Sequence, residues 1–331
     1  MISTGALAET PQVLSTTSRL TAADRWDHFL ARVGVKRGEH RVEPGLYALG
    51  KPTPDSPVFV TANYTLSFDA LRAALDGMDG YILVLDTQGI NVWCAAGKGT
   101  FGSDEIVHRV FATGLKNVLN HRKLILPQLG APGVAAHEVK KRTGFKVEYG
   151  PVRAVDLPEY LKSHNASAEM RRVQFTLRDR ATLIPVELVH VILPTLIVAI
   201  ILYFTGGIVS SLAAVTAVLA GTVLFPILLP WLPTHNFSTK GFILGGLAAL
   251  PFALSVFIRH PDWTWYRQLG QALGFLLAMP AVMAFLTLNF TGSTTFTSRT
   301  GVRREMFAYI PAMAWTFAAG IVLNLVFVFV R

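Results

Sequence analysis

The feature that most constrains this chain is a change of solvent at Leu183. From there on, Leu183–Phe204, Ile208–Leu229, Phe242–Ile258, Leu269–Phe290 and Met306–Val330 are runs with almost no charge. Each has roughly 17–25 residues, the length a helix needs to cross a bilayer. Residues 1–182 hold 23 Lys+Arg and 18 Asp+Glu, while residues 183–331 hold only 7 and 3. A soluble half is therefore expected to precede an all-α transmembrane half of about five helices.

The basic residues set an expected orientation. Arg171, Arg172, Arg178, Arg180, Lys240, Arg299, Arg303 and Arg304 fall on the side of the soluble half, against Arg259, Arg267 and Arg331 on the other. The positive-inside rule then puts the soluble half in the cytoplasm, with the chain multi-pass in the inner membrane. Trp231, Trp263 and Trp265 lie in loops, where interfacial aromatics belong. The formal charge of +9 is accounted for by such leaflet contacts. No stretch interleaves basic and aromatic residues as a nucleic-acid groove does, so no nucleic-acid partner is expected. The first twenty residues lack a basic stretch followed by an apolar run and do not read as a secretory signal.

Within the soluble half, residues 1–56 read as a poorly periodic N-terminal extension. Its one helical pattern is Thr21–Val33, with Trp26, Phe29, Leu30 and Val33 at helical spacing. An α/β pattern occupies residues 57–165, and a basic linker 166–182 leads to the membrane half, 183–331. Pro57–Asn63, Tyr81–Asp86, Lys123–Leu126 and Phe145–Tyr149 read as strands. Helices are expected at Ser67–Leu75 (N-cap Ser67, Asp69 in the first turn), Asp104–Leu119 and Val134–Thr143. Alternating strands and helices predict a doubly wound parallel sheet whose ligand sits beyond the carboxyl ends of the strands. The segments after those ends are rich in Gly, Thr and Asn, and are read as a hydrogen-bonding rim.

One cysteine, Cys94, excludes an intrachain disulfide, a Cys-x-x-Cys pair and an iron–sulfur cluster ligated by this chain alone. It lies in Asn91-Val-Trp-Cys94-Ala-Ala-Gly-Lys98-Gly99, where small residues permit a flat, bulky object to approach the backbone. Near a helix start and four residues before Lys98, its thiol is expected to have thiolate character, a soft donor suited to a transition metal. A buried, inert cysteine is the competing reading. Gly97-Lys-Gly99-Thr-Phe-Gly102 satisfies G-x-G-x-x-G, but it does not directly follow a strand, so the dinucleotide reading is rejected.

N-V-W-C-A-A-G-K closely resembles the cap-helix signature of the mercury-methylation corrinoid protein family, HgcA. The resemblance extends over TANYTLSF (61–68), LVLDTQGI (83–90), GTFGSDE (99–105), LPQLGAPGV (126–134) and EYGPVRAVDLPEYL (148–161). It thus covers about residues 57–162, and about five spans are the expected partner region. The soluble part also resembles the corrinoid-binding domain of the corrinoid iron–sulfur protein of acetyl-CoA synthesis. That family is soluble, carries its own cluster cysteines and lacks a cap-helix cysteine ligand. This chain also lacks Asp-x-His-x-x-Gly, the signature of histidine-ligated corrinoid proteins.

The resemblance implies a Rossmann-like domain that binds a cobalamin-type corrinoid with Cys94 as the lower axial cobalt ligand. It implies that Asn91, Val92, Trp93, Ala95, Ala96, Gly97 and Lys98 line the corrin face and hold the cap helix. Thr61, Asn63, Thr65, Asp86, Gly130 and Gly150 are expected around the cofactor. The implied reaction is corrinoid-dependent methyl transfer to mercuric ion, giving methylmercury. A ferredoxin-type 4Fe-4S electron donor (HgcB-like) is the implied partner, and a methyl donor protein or a methyltetrahydrofolate-linked methyltransferase supplies the methyl group. Two other readings stand beside it: a membrane-bound methyl carrier in one-carbon metabolism, and a transporter with a cytoplasmic α/β regulatory domain. In the membrane half, Glu187 and His190 share a helical face and read as an interfacial pair or, less favoured, a relay or metal stop. His121, His137 and His164 show no ligand spacing, and Pro194, Pro226, Pro251, Pro280 and Pro311 are expected to kink their spans.

Overall fold

A computed structural model describes residues 12–36, 38–294 and 296–329 of the chain. Val330, at the end of the last expected span, and Arg331 lie outside the described residues. Two compact units are present, Met1–Val173 and Gln174–Arg331.

In the first unit the elements are β1 (Val13–Thr16), α1 (Ala22–Val33), β2 (Gly45–Leu49), β3 (Val58–Ala62), α2 (Thr65–Ala74), β4 (Gly80–Leu85), α3 (Val92–Lys98), α4 (Ser103–Ala112), α5 (Leu115–Val118), β5 (Lys123–Leu126), α6 (Ala136–Thr143), β6 (Lys146–Tyr149) and α7 (Leu157–Ser163). The strands form one sheet in the order β1-β2-β4-β3-β5-β6. Strands β4, β3, β5 and β6 are mutually parallel. Strands β1 and β2 pair in parallel with each other, but β2 runs antiparallel to β4. The four strands expected from the sequence are thus parallel to one another, and the sheet as a whole is mixed because β1 and β2 extend it beyond β4. These two short strands come from a segment whose pattern was too weak to read as strands.

Apolar residues on both faces of β3 and β4 explain why these strands are continuous hydrophobic runs. Val58, Val60, Ala62, Leu83 and Leu85 pack with Ala95, Ile106, Val110 and Val139 from α3, α4 and α6. Phe59, Ile82 and Val84 pack on the other side with Phe68 and Leu71 of α2 and with Leu157 and Tyr160 of α7. Two helix boundaries differ from expectation. Helix α2 starts at Thr65 after Tyr64, not at Ser67. Asp69 consequently falls beyond the first turn, where it is buried and bonds Arg72 Nε (2.6 Å) and His28 Nε2 (2.6 Å). The expected helix over 104–119 is broken into α4 and α5 at Gly114, whose φ is 58°.

Helix α1 begins with a capping box between Thr21 and Asp24 and ends at Gly34 in the left-handed region. The loop behind it is held by buried His40, whose ring nitrogens meet Asp27 Oδ1 (2.7 Å) and the Val35 carbonyl (2.6 Å). Burial disfavours the imidazolium. The Val35 carbonyl and the Asp27 carboxylate outweigh burial and raise His40 above its ordinary value of 6.5. A histidine raised on folding stabilises the fold fully below its unfolded value, and that contribution is lost as pH rises through the higher folded value. Denaturation midpoints of the native chain and of His40→Gln are therefore expected to differ at pH below 6.5 and to converge as pH rises. A gap independent of pH would contradict this.

The second unit comprises α8 (Leu177–Ala181), α9 (Ile184–Leu219), a π-helical turn at 220–224, α10 (Phe225–Leu228), α11 (Phe237–Arg259), α12 (Trp265–Asn289) and α13 (Arg299–Phe329). Four helices are long and apolar enough to cross a membrane: Leu177–Leu228, Phe237–Arg259, Trp265–Ser293 and Thr300–Phe327. The first of these, Leu177–Leu228, has 52 residues and contains both of the first two expected runs, which meet at a break in the helix at Gly207. Within α9 the backbone leaves helical angles only at Gly207 (φ 76°, ψ −178°), a conformation that costs glycine little. The π-helical turn lies just before Pro226, whose missing N–H and bulky ring disturb the preceding turn. Pro194, Pro251, Pro280 and Pro311 lie inside helices. Glu187 Oε1 accepts from Ser293 Oγ (3.0 Å), whereas the His190 ring meets the Val186 carbonyl. The two side chains thus have separate partners.

Candidate functional site

Chain order in the parallel strands runs from β3 outward to β4, then back across β3 to β5 and on to β6. The winding therefore reverses between β3 and β5, and such a switch point opens a crevice at the carboxyl ends of the strands. Asn63, Asp86, Pro127 and Gly150 directly follow β3, β4, β5 and β6 there. Backbone bonds tie these ends together: Asn63 N–H to the Leu85 carbonyl (3.0 Å), and Gly150 N–H to the Leu126 carbonyl (2.8 Å).

The loop from β4 to α3 is organised by one side chain. Asn63 is 1% exposed. Its Oδ1 accepts from Thr87 N–H (3.1 Å) and Gly89 N–H (3.0 Å), with Thr87 Oγ1 at 2.9 Å. Its Nδ2 donates to Asp86 Oδ1 (3.2 Å). The buried Thr87 hydroxyl also reaches the Ile90 carbonyl (2.7 Å). Glu105, in the first turn of α4, accepts from Asp86 N–H (2.9 Å) while paired with Arg109 (2.7 Å). These bonds hold Gln88 and Gly89 at φ 59° and 71°, a reversal that aims the chain into α3.

Helix α3 is capped by Asn91, whose Oδ1 accepts from Cys94 N–H (2.9 Å), and ends at Gly99 with φ 88°. Val92, Ala95 and Ala96 face inward and are buried. Trp93 and Cys94 are half-buried, and Gly97 and Lys98 are exposed. Cys94 and Gly97, three apart, therefore share the outward face. A Cβ built on Gly97 would meet nothing within 4 Å, so packing inside the chain does not demand a glycine there.

The inward face of α3 rests on a 3-10 turn, residues 128–133, that follows β5. A Cβ on Gly133 would lie 3.0 Å from Ala96 Cα and against the Phe101 carbonyl, and one on Gly130 would lie 2.5 Å from Phe101 Cε1. The backbones can approach only because these residues lack side chains. Gly133→Ala is expected to cost about 1–3 kcal/mol by overpacking, read as a lowered denaturant midpoint. An unchanged midpoint would contradict the close packing.

The predicted site residues thus fall into two sets. Asn91, Trp93, Cys94, Gly97 and Lys98 come together on or beside the outward face of α3, with exposed Asp86 at the start of its loop. Thr61, Asn63, Gly130 and Gly150 are buried. Asn63 and Gly130 brace the cap helix and its loop, while a Cβ on Gly150 would press on Ile125 Cγ2 at 3.3 Å. Thr65 is half-buried, and its N–H donates to the His40 carbonyl (3.1 Å). Sequence reasoning missed Thr87 and Glu105. An acidic residue in the first turn of α4 was the available signal for Glu105. The G-x-G-x-x-G match proves to be punctuation, with Gly97 inside α3, Gly99 ending it and Gly102 preceding α4.

Residues 36–161 match the family model described as CO dehydrogenase/acetyl-CoA synthase delta subunit. The similarity supports a corrinoid-protein domain. Among relatives, the acetyl-CoA decarbonylase/synthase complex subunit gamma of Archaeoglobus fulgidus is 33% identical over 126 residues, which are 38% of this chain and 26% of that protein. The Methanopyrus kandleri subunit gamma is 33% identical over 128 residues, 38% of this chain and 27% of its own length. The corrinoid/iron-sulfur protein large subunit of Moorella thermoacetica is 29% identical over 129 residues, 38% of this chain and 28% of its own. The chain thus spans about a quarter of the length of these curated relatives. The apolar helices of the second unit lie outside the residues matched by the family model.

Proposed function

We propose that the first unit holds a corrinoid against the outward face of α3, with Cys94 as a cobalt ligand, and that the chain passes a methyl group to mercuric ion as substrate. The observation that carries this reading is the pairing of a half-buried thiol with a glycine whose Cβ position faces open space on the same helix face. A large planar ligand fits such a surface, and the matched family supports a corrinoid as that ligand. A bound corrinoid would supply methyl-transfer chemistry at cobalt, and electron donation from the Cys94 thiolate would favour delivery of the methyl group to an electrophile such as mercuric ion.

The chain's own residues then have distinct tasks. Asn91 fixes the start of α3 and so the position of Cys94, and Trp93, Gly97 and Lys98 shape the face presented to the ring. Val92, Ala95 and Ala96 anchor the helix from below, with Asn63 and Glu105 fixing the loop that feeds it. With its one thiol committed, the chain receives mercuric ion from thiols of a partner or small molecule. Electrons come from a ferredoxin-type 4Fe-4S partner, and the methyl group from a donor protein or a methyltetrahydrofolate-linked methyltransferase. The second unit anchors the protein in the inner membrane, with the first unit on the cytoplasmic side.

A second reading is favoured by the relatives' own descriptions: a membrane-bound methyl carrier of an acetyl-CoA type pathway. The two separate in one experiment, in which the full chain, loaded with methylated corrinoid under anaerobic conditions, meets a mercuric thiolate. Stoichiometric methylmercury supports the first reading. Retention of the methyl group despite mercuric thiolate supports the second.

Gly97 gives a prediction with opposite signs. Alanine is the better helix former by about 0.5–1 kcal/mol, so Gly97→Ala is expected to stabilise the corrinoid-free protein. The added methyl group occupies the face meant for the ring, so corrinoid affinity is expected to fall in the same variant. Denaturation and equilibrium loading measured together check both signs, and unimpaired loading would exclude this face as the seat of the ring.

A further inference from the structure

Helix α1 has an outward face that is exposed among the described residues of the first unit. Trp26 and Phe29 are 61% and 52% exposed, and their rings stack with centroids 5.3 Å apart. At 3.6 residues per turn, Ala22, Trp26, Phe29 and Val33 form one stripe, with Arg25 and Arg32 along its edge. Both arginines are exposed, and neither forms an ion pair among the described residues. The acidic residues of α1 are turned the other way: Asp24 pairs with Arg72 (2.9 Å) and Asp27 with His40 (2.7 Å). The helix is thus sorted into an inner face whose acids are neutralised and an outer face that is aromatic and cationic.

We infer that this face lies on the surface of an anionic lipid bilayer. Two features favour lipid over a protein partner. Tryptophan and phenylalanine beside arginine, on an amphipathic helix, match the acyl–headgroup boundary, where the rings enter and the guanidinium groups meet phosphate. The same chain also carries four helices of membrane-crossing length and composition. A bilayer is therefore always within tether range, and weak contacts suffice for occupancy. The contact would restrain the corrinoid-protein domain at the membrane through an element separate from the apolar helices.

The test uses the full chain in vesicles. In a Cys94→Ser background, Ala22→Cys provides a single labelling site on the aromatic stripe without removing either ring, and carries an environment-sensitive fluorophore. Vesicles are made of phosphatidylcholine alone or mixed with phosphatidylglycerol, each containing headgroup-proximal nitroxide lipid. The expected result is quenching by the nitroxide in the mixed vesicles. It should be reduced in phosphatidylcholine and in high salt, and lost in both Trp26→Ser/Phe29→Ser and Arg25→Glu/Arg32→Glu. A label open to aqueous iodide and unquenched by lipid in both vesicle types would overturn the inference. So would shielding that needs an added soluble protein, or that rises with protein concentration in the absence of lipid.

Discussion

Cys94→Ala is expected to leave the fold intact and to abolish methyl transfer. The side chain is half-buried at the third position of a seven-residue helix, and its backbone N–H is satisfied by Asn91 Oδ1 at 2.9 Å. Alanine keeps that bond and is a favourable helix residue, so the stability change should stay within about 1 kcal/mol. The chemical change is far larger. Disturbing only the supporting shell of a metal site costs about 10–100-fold, and removing the one soft donor on the surface proposed to face cobalt should exceed that. Methylmercury formed per loaded corrinoid, measured beside a denaturation curve, checks both halves. Retained transfer would remove Cys94 from the proposed role. Lost transfer in an unfolded protein would leave that role unsupported and would contradict the predicted stability.

Asn63→Leu is expected to act in the opposite way, through the fold first. The substitution preserves approximate size but strips the acceptor shared by Thr87 N–H and Gly89 N–H and faced by the Thr87 hydroxyl, all in a buried setting. Leaving buried donors unsatisfied costs about 1–3 kcal/mol each, so a destabilisation of about 3 kcal/mol or more is expected. Corrinoid loading should fall with it, because the loop that directs α3 loses its support. Asn63→Asp keeps the acceptor but sets a second carboxylate beside Asp86, so a smaller loss is expected. A denaturation series on the two variants, paired with corrinoid loading, separates this bracing role from direct ligand contact. Normal stability with lost loading would mean that Asn63 touches the ligand.

The contrast between these two positions shows what the sequence made legible. Strands β3 and β4 were readable because burial on both faces leaves an uninterrupted apolar run, and β5 coincides with its expected range. Strands β1 and β2 were not, since strands of four and five residues carry too little pattern to stand out. The start of α2 was misplaced because Asp69, which resembles a first-turn acid, is occupied with Arg72 and His28, a long-range arrangement that local pattern does not encode. Cys94 and its small neighbours were legible from composition and motif. The brace beneath them was legible only as residue types. Asn63 reads from sequence as a polar rim residue, and its burial is fixed by partners more than twenty positions away. In the second unit hydropathy located the apolar runs, and the division expected between the first two falls at Gly207, where the backbone leaves helical angles.

The central claim, a cobalt corrinoid ligated by Cys94, is tested most directly by X-ray absorption at the cobalt edge of the anaerobically purified, corrinoid-loaded full chain. The account predicts a sulfur scatterer in the first coordination shell that disappears in Cys94→Ala while cobalt content per chain remains measurable. Bound cobalt without a sulfur neighbour, or a sulfur shell that survives the substitution, would contradict it.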